Sequence, residues 1–166
     1  MNRNRICRLN VCAALALTAC AAAHEETPMK NATIVATDGL AIDGFDPVSY
    51  LAGSPVLGRA EYELNWSGVR WRFASADNRA RFEQAPDRYA PQYGGHCALA
   101  MSLGEVAPSS PTAWSIEKGK LYFHNSAITA FLFKYLPGRL RAADQRWSAF
   151  ESQTTNPEAK HGKESL

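Results

Sequence analysis

The chain lacks most of the features that identify an enzyme or an integral membrane protein. It has four cysteines in 166 residues and no C-x-x-C pair, so the common zinc and dithiol redox motifs are excluded. It has no P-loop, no G-x-S-x-G elbow and no H-E-x-x-H pair. No apolar run reaches the length of about 18 residues that a membrane-spanning helix needs. The sequence therefore identifies no catalytic residue, and we do not expect an enzyme.

The N-terminus has the pattern of an export signal. Three arginines lie within residues 1–8, and a short apolar core follows over residues 11–19. A basic segment followed by an apolar core too short to span a bilayer is typical of a secretory signal peptide. We therefore predict an exported protein.

The apolar core ends in L-T-A-C at Cys20, which resembles a bacterial lipobox. In that motif the cysteine is lipidated and becomes the first residue of the mature protein. We predict a lipoprotein signal peptide over residues 1–19 and a periplasmic protein anchored through a lipid on Cys20. The outer membrane is favoured because Ala21, and not aspartate, comes next. Ordinary cleavage after Ala23, which would release a soluble periplasmic protein, is the alternative.

Removal of the signal would change both the charge and the cysteine content. The mature chain would keep 15 basic residues against 16 acidic ones, which gives no reason to expect a nucleic-acid partner. Cys7 and Cys12 would be lost and Cys20 lipidated, which leaves Cys97 without a partner in an oxidising compartment. Such a cysteine is reactive, binds a metal or pairs between molecules, or it is a buried small hydrophobe.

The patterns of turn residues and apolar residues predict one small domain over residues 39–150. A flexible tether over residues 20–38 would precede it, and the polar residues 151–166 would form a disordered tail. We predict two hairpins, over 61–65 with 69–73 and over 113–117 with 120–124, and helices over 75–84, 96–103, 126–136 and 139–150. Short antiparallel hairpins packed with several short helices define an α+β fold.

Most of the aromatic residues have the spacing of core and hairpin packing. We predict that they build the interior and do not form a cofactor site. These residues are Trp66, Trp71, Phe73, Phe82, Tyr89, Trp114, Phe131 and Trp147.

Four segments of this domain resemble the YHS domain, in the branch of exported single-domain proteins. They are A-I-D-G-F-D-P-V-S-Y at 41–50, W-R-F-A-S-A-D-N-R-A-R-F-E-Q-A-P-D-R-Y at 71–89, A-P-Q-Y-G-G-H-C-A at 90–98 and K-L-Y-F-H-N-S at 120–126. The resemblance implies a small α+β module linked to heavy-metal and copper handling. The thiolates typical of metal-linked members are missing, since Ser49 follows D-P-V and residues 74–77 contain no cysteine. A metal site would have to be built around Cys97.

Cys97 follows two glycines, which allow a sharp turn before a helix. Met101 lies four residues further on and so shares a helix face with it. A thiolate, a thioether and an imidazole together suit Cu(I), so we predict a metal site of Cys97 and Met101 with His124 and His96 as further ligands. Core packing of Cys97 and Met101 is the alternative.

These expectations give three hypotheses about function. The first is an exported binding module that senses, sequesters or transfers copper or another heavy metal at the cell envelope. The second is a non-metal protein-interaction module that recruits a partner at the cell envelope, with Cys97 in a structural role. The third is a thiol redox protein, which requires Cys97 to be exposed and quick to react.

Overall fold

The computed structural model describes residues 34–155. Within this range the chain forms an α+β domain, as predicted, with six strands, six α-helices and two short 3-10 helices at Ile42–Gly44 and Gln92–Gly95. In chain order the strands and helices are β1 (Ala36–Thr37), β2 (Leu40–Ala41), α1 (Pro47–Leu51), β3 (Arg59–Trp66), β4 (Val69–Phe73), α2 (Ala76–Gln84), α3 (Pro86–Tyr89), α4 (Ala98–Leu103), β5 (Ser110–Glu117), β6 (Lys120–His124), α5 (Ala127–Tyr135) and α6 (Arg139–Thr155).

The strands form two separate sheets. The larger sheet has the order β1-β2-β4-β3, in which β2 and β4 are parallel and the other neighbours are antiparallel. The smaller sheet is the β5–β6 hairpin. Both predicted hairpins are present. Each turns through two residues with positive φ, the second being Gly68 or Gly119, which is the geometry of the tight turns that suit twisted strands.

The helix starts show how local sequence sets the elements. Ser75 caps α2 by accepting a hydrogen bond from the Asn78 amide at 3.2 Å, as its position before the helix predicts. Ser126 caps α5 in the same way, with Thr129 completing a capping box. Gly104 ends α4 in the left-handed conformation.

Several predicted boundaries differ from the structure. Strands β3 and β5 begin at Arg59 and Ser110, earlier than the predicted 61 and 113. Residues 34–38, assigned to the tether, belong to the fold, because Val35 donates a backbone hydrogen bond to Gly94 and β1 pairs with β2. The last helix extends to Thr155, so residues 151–155 are helical and not part of a disordered tail. Helix α4 begins at Ala98, two residues later than predicted. The signal peptide, Cys20, most of the tether and the rest of the tail lie outside the described residues.

The interior consists of two hydrophobic clusters on opposite faces of β6. Successive side chains of a strand point to opposite faces, so Phe123 enters one cluster and Tyr122 the other. The first cluster contains Ala41, Ile42, Val48, Tyr50, Trp71, Phe73, Phe82, Ala90, Leu121 and Phe123. The second cluster contains Tyr93, Cys97, Ala98, Leu99, Met101, Tyr122, Phe133 and Ala143.

Most of the aromatic residues assigned to the interior do pack against these clusters, but Phe131 does not. Its side chain is 60% exposed on α5, so the prediction for this residue was wrong. No helix within residues 34–155 has the length and apolar composition to cross a membrane.

Candidate functional site

A glycine-containing turn precedes Cys97 and positions it in the second cluster. Tyr93, Gly94 and Gly95 all have positive φ, a conformation that favours glycine. The chain then straightens at His96, and Cys97 forms a parallel bridge with Phe123 of β6. The turn therefore fixes Cys97 directly beside the strand that ends in His124.

The Cys97 backbone begins α4. Its amide donates to the Ala107 carbonyl at 3.0 Å, and its carbonyl accepts from the Met101 amide at 2.9 Å. Cys97 is therefore the residue that precedes the helix, and not a residue of its first turn as the sequence suggested.

The two sulfur-containing side chains lie in one cluster. Cys97 is free and 1% exposed, Met101 is 2% exposed, and both belong to the second cluster with Tyr122 and Phe133. The two side chains therefore belong to one buried cluster. Deep burial fits both a closed metal site and ordinary core packing.

His124 is completely buried at the end of β6. Its Nε2 lies 3.1 Å from Ser115 Oγ, whereas its Nδ1 has no hydrogen-bond partner within the part of the chain that the structure describes. Burial lowers the pKa of the imidazole from 6.5 to about 4, so the ring is neutral at neutral pH. A neutral, dry imidazole with one nitrogen not used for hydrogen bonding is a suitable metal ligand.

Phe133 connects His124 with the sulfur residues. The His124 and Phe133 ring centroids are 5.3 Å apart, and the Tyr122 and Phe133 centroids are 5.6 Å apart. Tyr122 and His124 lie two residues apart on β6 and so share a face. The His124 ring therefore packs against Phe133, a member of the cluster that contains Cys97 and Met101.

The fourth predicted ligand has a different neighbour. The His96 ring packs against Trp147 of α6, with centroids 6.4 Å apart. Among residues 34–155, no group of three or more histidine, cysteine, aspartate or glutamate side chains is placed to hold a metal ion. A metal site in the second cluster would consequently depend on the Met101 thioether as a ligand.

The turn residue Tyr93 connects the second cluster to α6. Its hydroxyl donates to Asp144 Oδ1 at 2.8 Å. Burial, reinforced by this hydrogen bond and by the negative charge of Asp144, raises the pKa of Tyr93 well above its ordinary value. Burial also raises the pKa of Tyr122 to about 12. Both phenols are therefore neutral over the physiological pH range.

The D-P-V segment places a carboxylate in the interior. Asp46 is completely buried and accepts hydrogen bonds from the Val48 amide at 2.8 Å, the Ala74 amide at 2.9 Å and Asn78 Nδ2 at 2.6 Å. Asp43 is exposed and instead accepts from Thr37 Oγ1. Asp46 has a structural role, since it ties α1 to the end of β4 and the start of α2.

A cleft with a volume of about 320 Å³ opens beside the first cluster. Its walls carry four aromatic side chains together with acidic, basic and amide groups. They include Trp66, Trp71, Tyr93, Trp147, Asp87, Lys120, Gln92 and Glu151. The sequence does not predict this cleft, because its residues come from distant parts of the chain. The packing prediction covers Trp66, Trp71 and Trp147 and does not include Tyr93.

A scan of protein-family models, a search of curated proteins and a search of solved structures each find no match to this chain. The resemblance to the YHS domain therefore rests on the quoted sequence segments.

Proposed function

We propose that the chain is an exported binding module for a soft metal ion, with copper(I) favoured, in which Cys97, Met101 and His124 are the ligands. The main support for this proposal is that His124 is completely buried and that its Nδ1 has no hydrogen-bond partner among the described residues. A buried ring nitrogen without a hydrogen-bond partner costs about 1–3 kcal/mol, and coordination to a metal would remove that cost. Thiolate, thioether and neutral imidazole are the donor types that Cu(I) prefers.

Two sequence features support a role for this module at the cell envelope. The lipobox-like segment at Cys20 predicts lipid anchoring in the periplasm, and the YHS-like segments imply metal handling. A single site of this kind suits sensing, sequestration or transfer of the ion.

The test is an anaerobic Cu(I) titration of the chain from Ala21 to Leu166 against a chromophoric Cu(I) ligand. This chain retains every element that the structure describes. We expect one equivalent to bind, with binding lost in Cys97→Ala and weakened at least tenfold in His124→Leu and Met101→Leu.

Phe133→Leu is the matched control, because it alters packing in the same cluster without removing a donor atom. Circular dichroism establishes that each variant is folded. If the unaltered chain fails to compete for Cu(I), or if the three ligand variants bind as it does, the metal proposal is wrong.

The aromatic cleft supports a second candidate function, in which the domain binds a non-metal ligand and Cys97 is structural. Indole faces attract organic cations, and the carboxylates of Asp87 and Glu151 outnumber the single ammonium of Lys120 in this cleft. A volume of about 320 Å³ suits a compact quaternary ammonium compound. Saturable quenching of tryptophan fluorescence by choline, lost in Trp147→Ala and retained in Cys97→Ala, would support this function over the metal site.

The redox hypothesis requires an accessible thiol. Cys97 is 1% exposed, so an electrophile or a disulfide partner could reach it only after local unfolding. No observation among the described residues favours this function.

A further inference from the structure

Helix α5 has an apolar face that the rest of the domain leaves uncovered. Ile128, Phe131 and Tyr135 are 72%, 60% and 62% exposed. Their spacing of three and four residues places them on one side of the helix. The Phe131 and Tyr135 rings are in contact, with centroids 4.6 Å apart, so the face is continuous. Phe133 is buried on the other side of α5, so this helix is apolar on two sides and buries only one of them.

Basic side chains lie beside this face and at the C-terminal end of α5. Lys134 Nζ lies 5.6 Å from the centre of the Tyr135 ring. Residues 125–141 contain Lys134, Arg139 and Arg141 and no acidic residue. Together with Lys118 these three line a depression beyond the end of α5, in which the acidic residues are Glu117 and Asp144. Four basic residues against two acidic ones give this end of α5 a net positive charge.

We propose that the α5 face, defined by Ile128, Phe131 and Tyr135, docks on the surface of an anionic lipid bilayer together with the basic residues at the end of α5, which are Lys118, Lys134, Arg139 and Arg141. An apolar helix face with aromatic side chains enters the interfacial region of a bilayer, while flanking lysine and arginine side chains attract anionic headgroups. The proposal concerns the protein surface itself and does not depend on lipidation of Cys20 or on metal binding.

A second copy of the chain fits this face less well. A two-fold dimer would bring the face of one copy against the same face of the other, so the Lys134 side chains beside the two faces would come closer together. A stable interface also buries roughly 800 Å² on each partner, far more than three side chains present. The charge around the face therefore favours an anionic surface.

The test is co-sedimentation of the unlipidated chain from Ala21 to Leu166 with sucrose-loaded vesicles. One set contains phosphatidylglycerol mixed with phosphatidylethanolamine, and the other contains phosphatidylcholine alone. We expect sedimentation with the anionic vesicles, at least several-fold less with the neutral vesicles, and a decrease as salt is raised.

Two variants separate the apolar and the electrostatic contributions to vesicle binding. Phe131→Ser combined with Tyr135→Ser should reduce binding about tenfold or more, and Lys134→Gln combined with Arg139→Gln should reduce both binding and its salt dependence. Leu57→Ser is the matched control. Leu57 has the same exposure as Tyr135, 62%, but lies far along the chain from α5. This control variant should bind as the unaltered chain does.

Three results would overturn the proposal. They are equal sedimentation with both kinds of vesicle, unchanged binding by the Phe131/Tyr135 variant, or no binding at all. Sedimentation velocity without lipid tests the alternative that two copies pair through this face. A dimer that dissociates in the Phe131/Tyr135 variant would assign the face to a second copy.

Discussion

The buried imidazole of His124 makes the stability of the domain depend on pH. Its pKa is about 4 in the folded protein against 6.5 in an unfolded chain, so between these values the unfolded chain binds a proton that the folded one does not. The stabilising contribution is therefore complete above pH 6.5 and is lost as the pH falls towards 4. The largest loss is about 3 kcal/mol.

Urea unfolding at several pH values measures this effect. In the upper part of the window, from pH 6.5 to 5, most carboxylates stay ionised, so the histidine dominates. We expect the free energy of unfolding to fall with pH in the unaltered chain and to stay nearly constant in His124→Gln. Parallel pH profiles for the two proteins would show that His124 is not the titrating group.

Asp46 gives a second prediction about a single side chain. Asp46→Ala leaves three donors in or near the interior without their acceptor, those of Val48, Ala74 and Asn78. We expect a loss of about 3–5 kcal/mol in the free energy of unfolding, measured with urea. Asp43→Ala removes one hydrogen bond of an exposed carboxylate and should cost less than about 1 kcal/mol. Similar losses in the two variants would contradict the role assigned to Asp46.

The sequence allowed prediction of residue contacts only where they are local. Cys97 and Met101 are four residues apart along the chain, and both are buried in the second cluster. Two of the three partners of Asp46, Ala74 and Asn78, lie 28 and 32 residues away, and Ser115 meets His124 only across a hairpin. Such contacts depend on how strands and helices pack, and this packing has no short-range pattern in the sequence.

At the scale of the elements, Gly58 sets how closely the start of β3 approaches β4. A Cβ atom at this position would lie 2.4 Å from the backbone carbonyl carbon of Arg72, which real contacts do not allow. We expect Gly58→Ala to displace the β3–β4 pair and to cost about 2–3 kcal/mol in the free energy of unfolding.

Gly119 provides the matched control for this prediction. It has a positive φ, but a Cβ atom there would meet nothing within 4 Å. Gly119→Ala should therefore lower the free energy of unfolding by only about 1 kcal/mol, which is the cost of placing alanine at a positive φ. Chemical denaturation of both variants compares the two effects, and a smaller loss for Gly58→Ala would show that β3 adjusts without strain.

The elements that the sequence predicted well are those with local signals. Ser75 and Ser126 cap helices, and the glycines at 68 and 119 close hairpins. Strands β1 and β2 have two residues each and are held by pairing with each other and with β4, so they have no periodicity to detect. Helix α6 continues past Phe150 although its sequence becomes polar there, since a polar composition can form a helix as well as a tail.

At the scale of the whole molecule, strand β6 joins the two hydrophobic clusters. Its Leu121 and Phe123 side chains belong to the first cluster and its Tyr122 side chain to the second. Displacement of β6 from either cluster would therefore expose apolar surface of the other cluster as well. We therefore predict that residues 34–155 unfold as one cooperative unit.

A substitution in the second cluster tests this coupling. In a Trp147→Phe background, the remaining tryptophans, Trp66, Trp71 and Trp114, all belong to the first cluster or pack against it, so tryptophan fluorescence reports that cluster alone. Adding Phe133→Ala should destabilise the second cluster by about 3–5 kcal/mol. If the clusters are coupled, the fluorescence midpoint falls as far as the midpoint from circular dichroism. A fluorescence midpoint that stays in place would mean that the first cluster is stable without the second, and that Cys97, Met101 and His124 lie in a region that can open by itself.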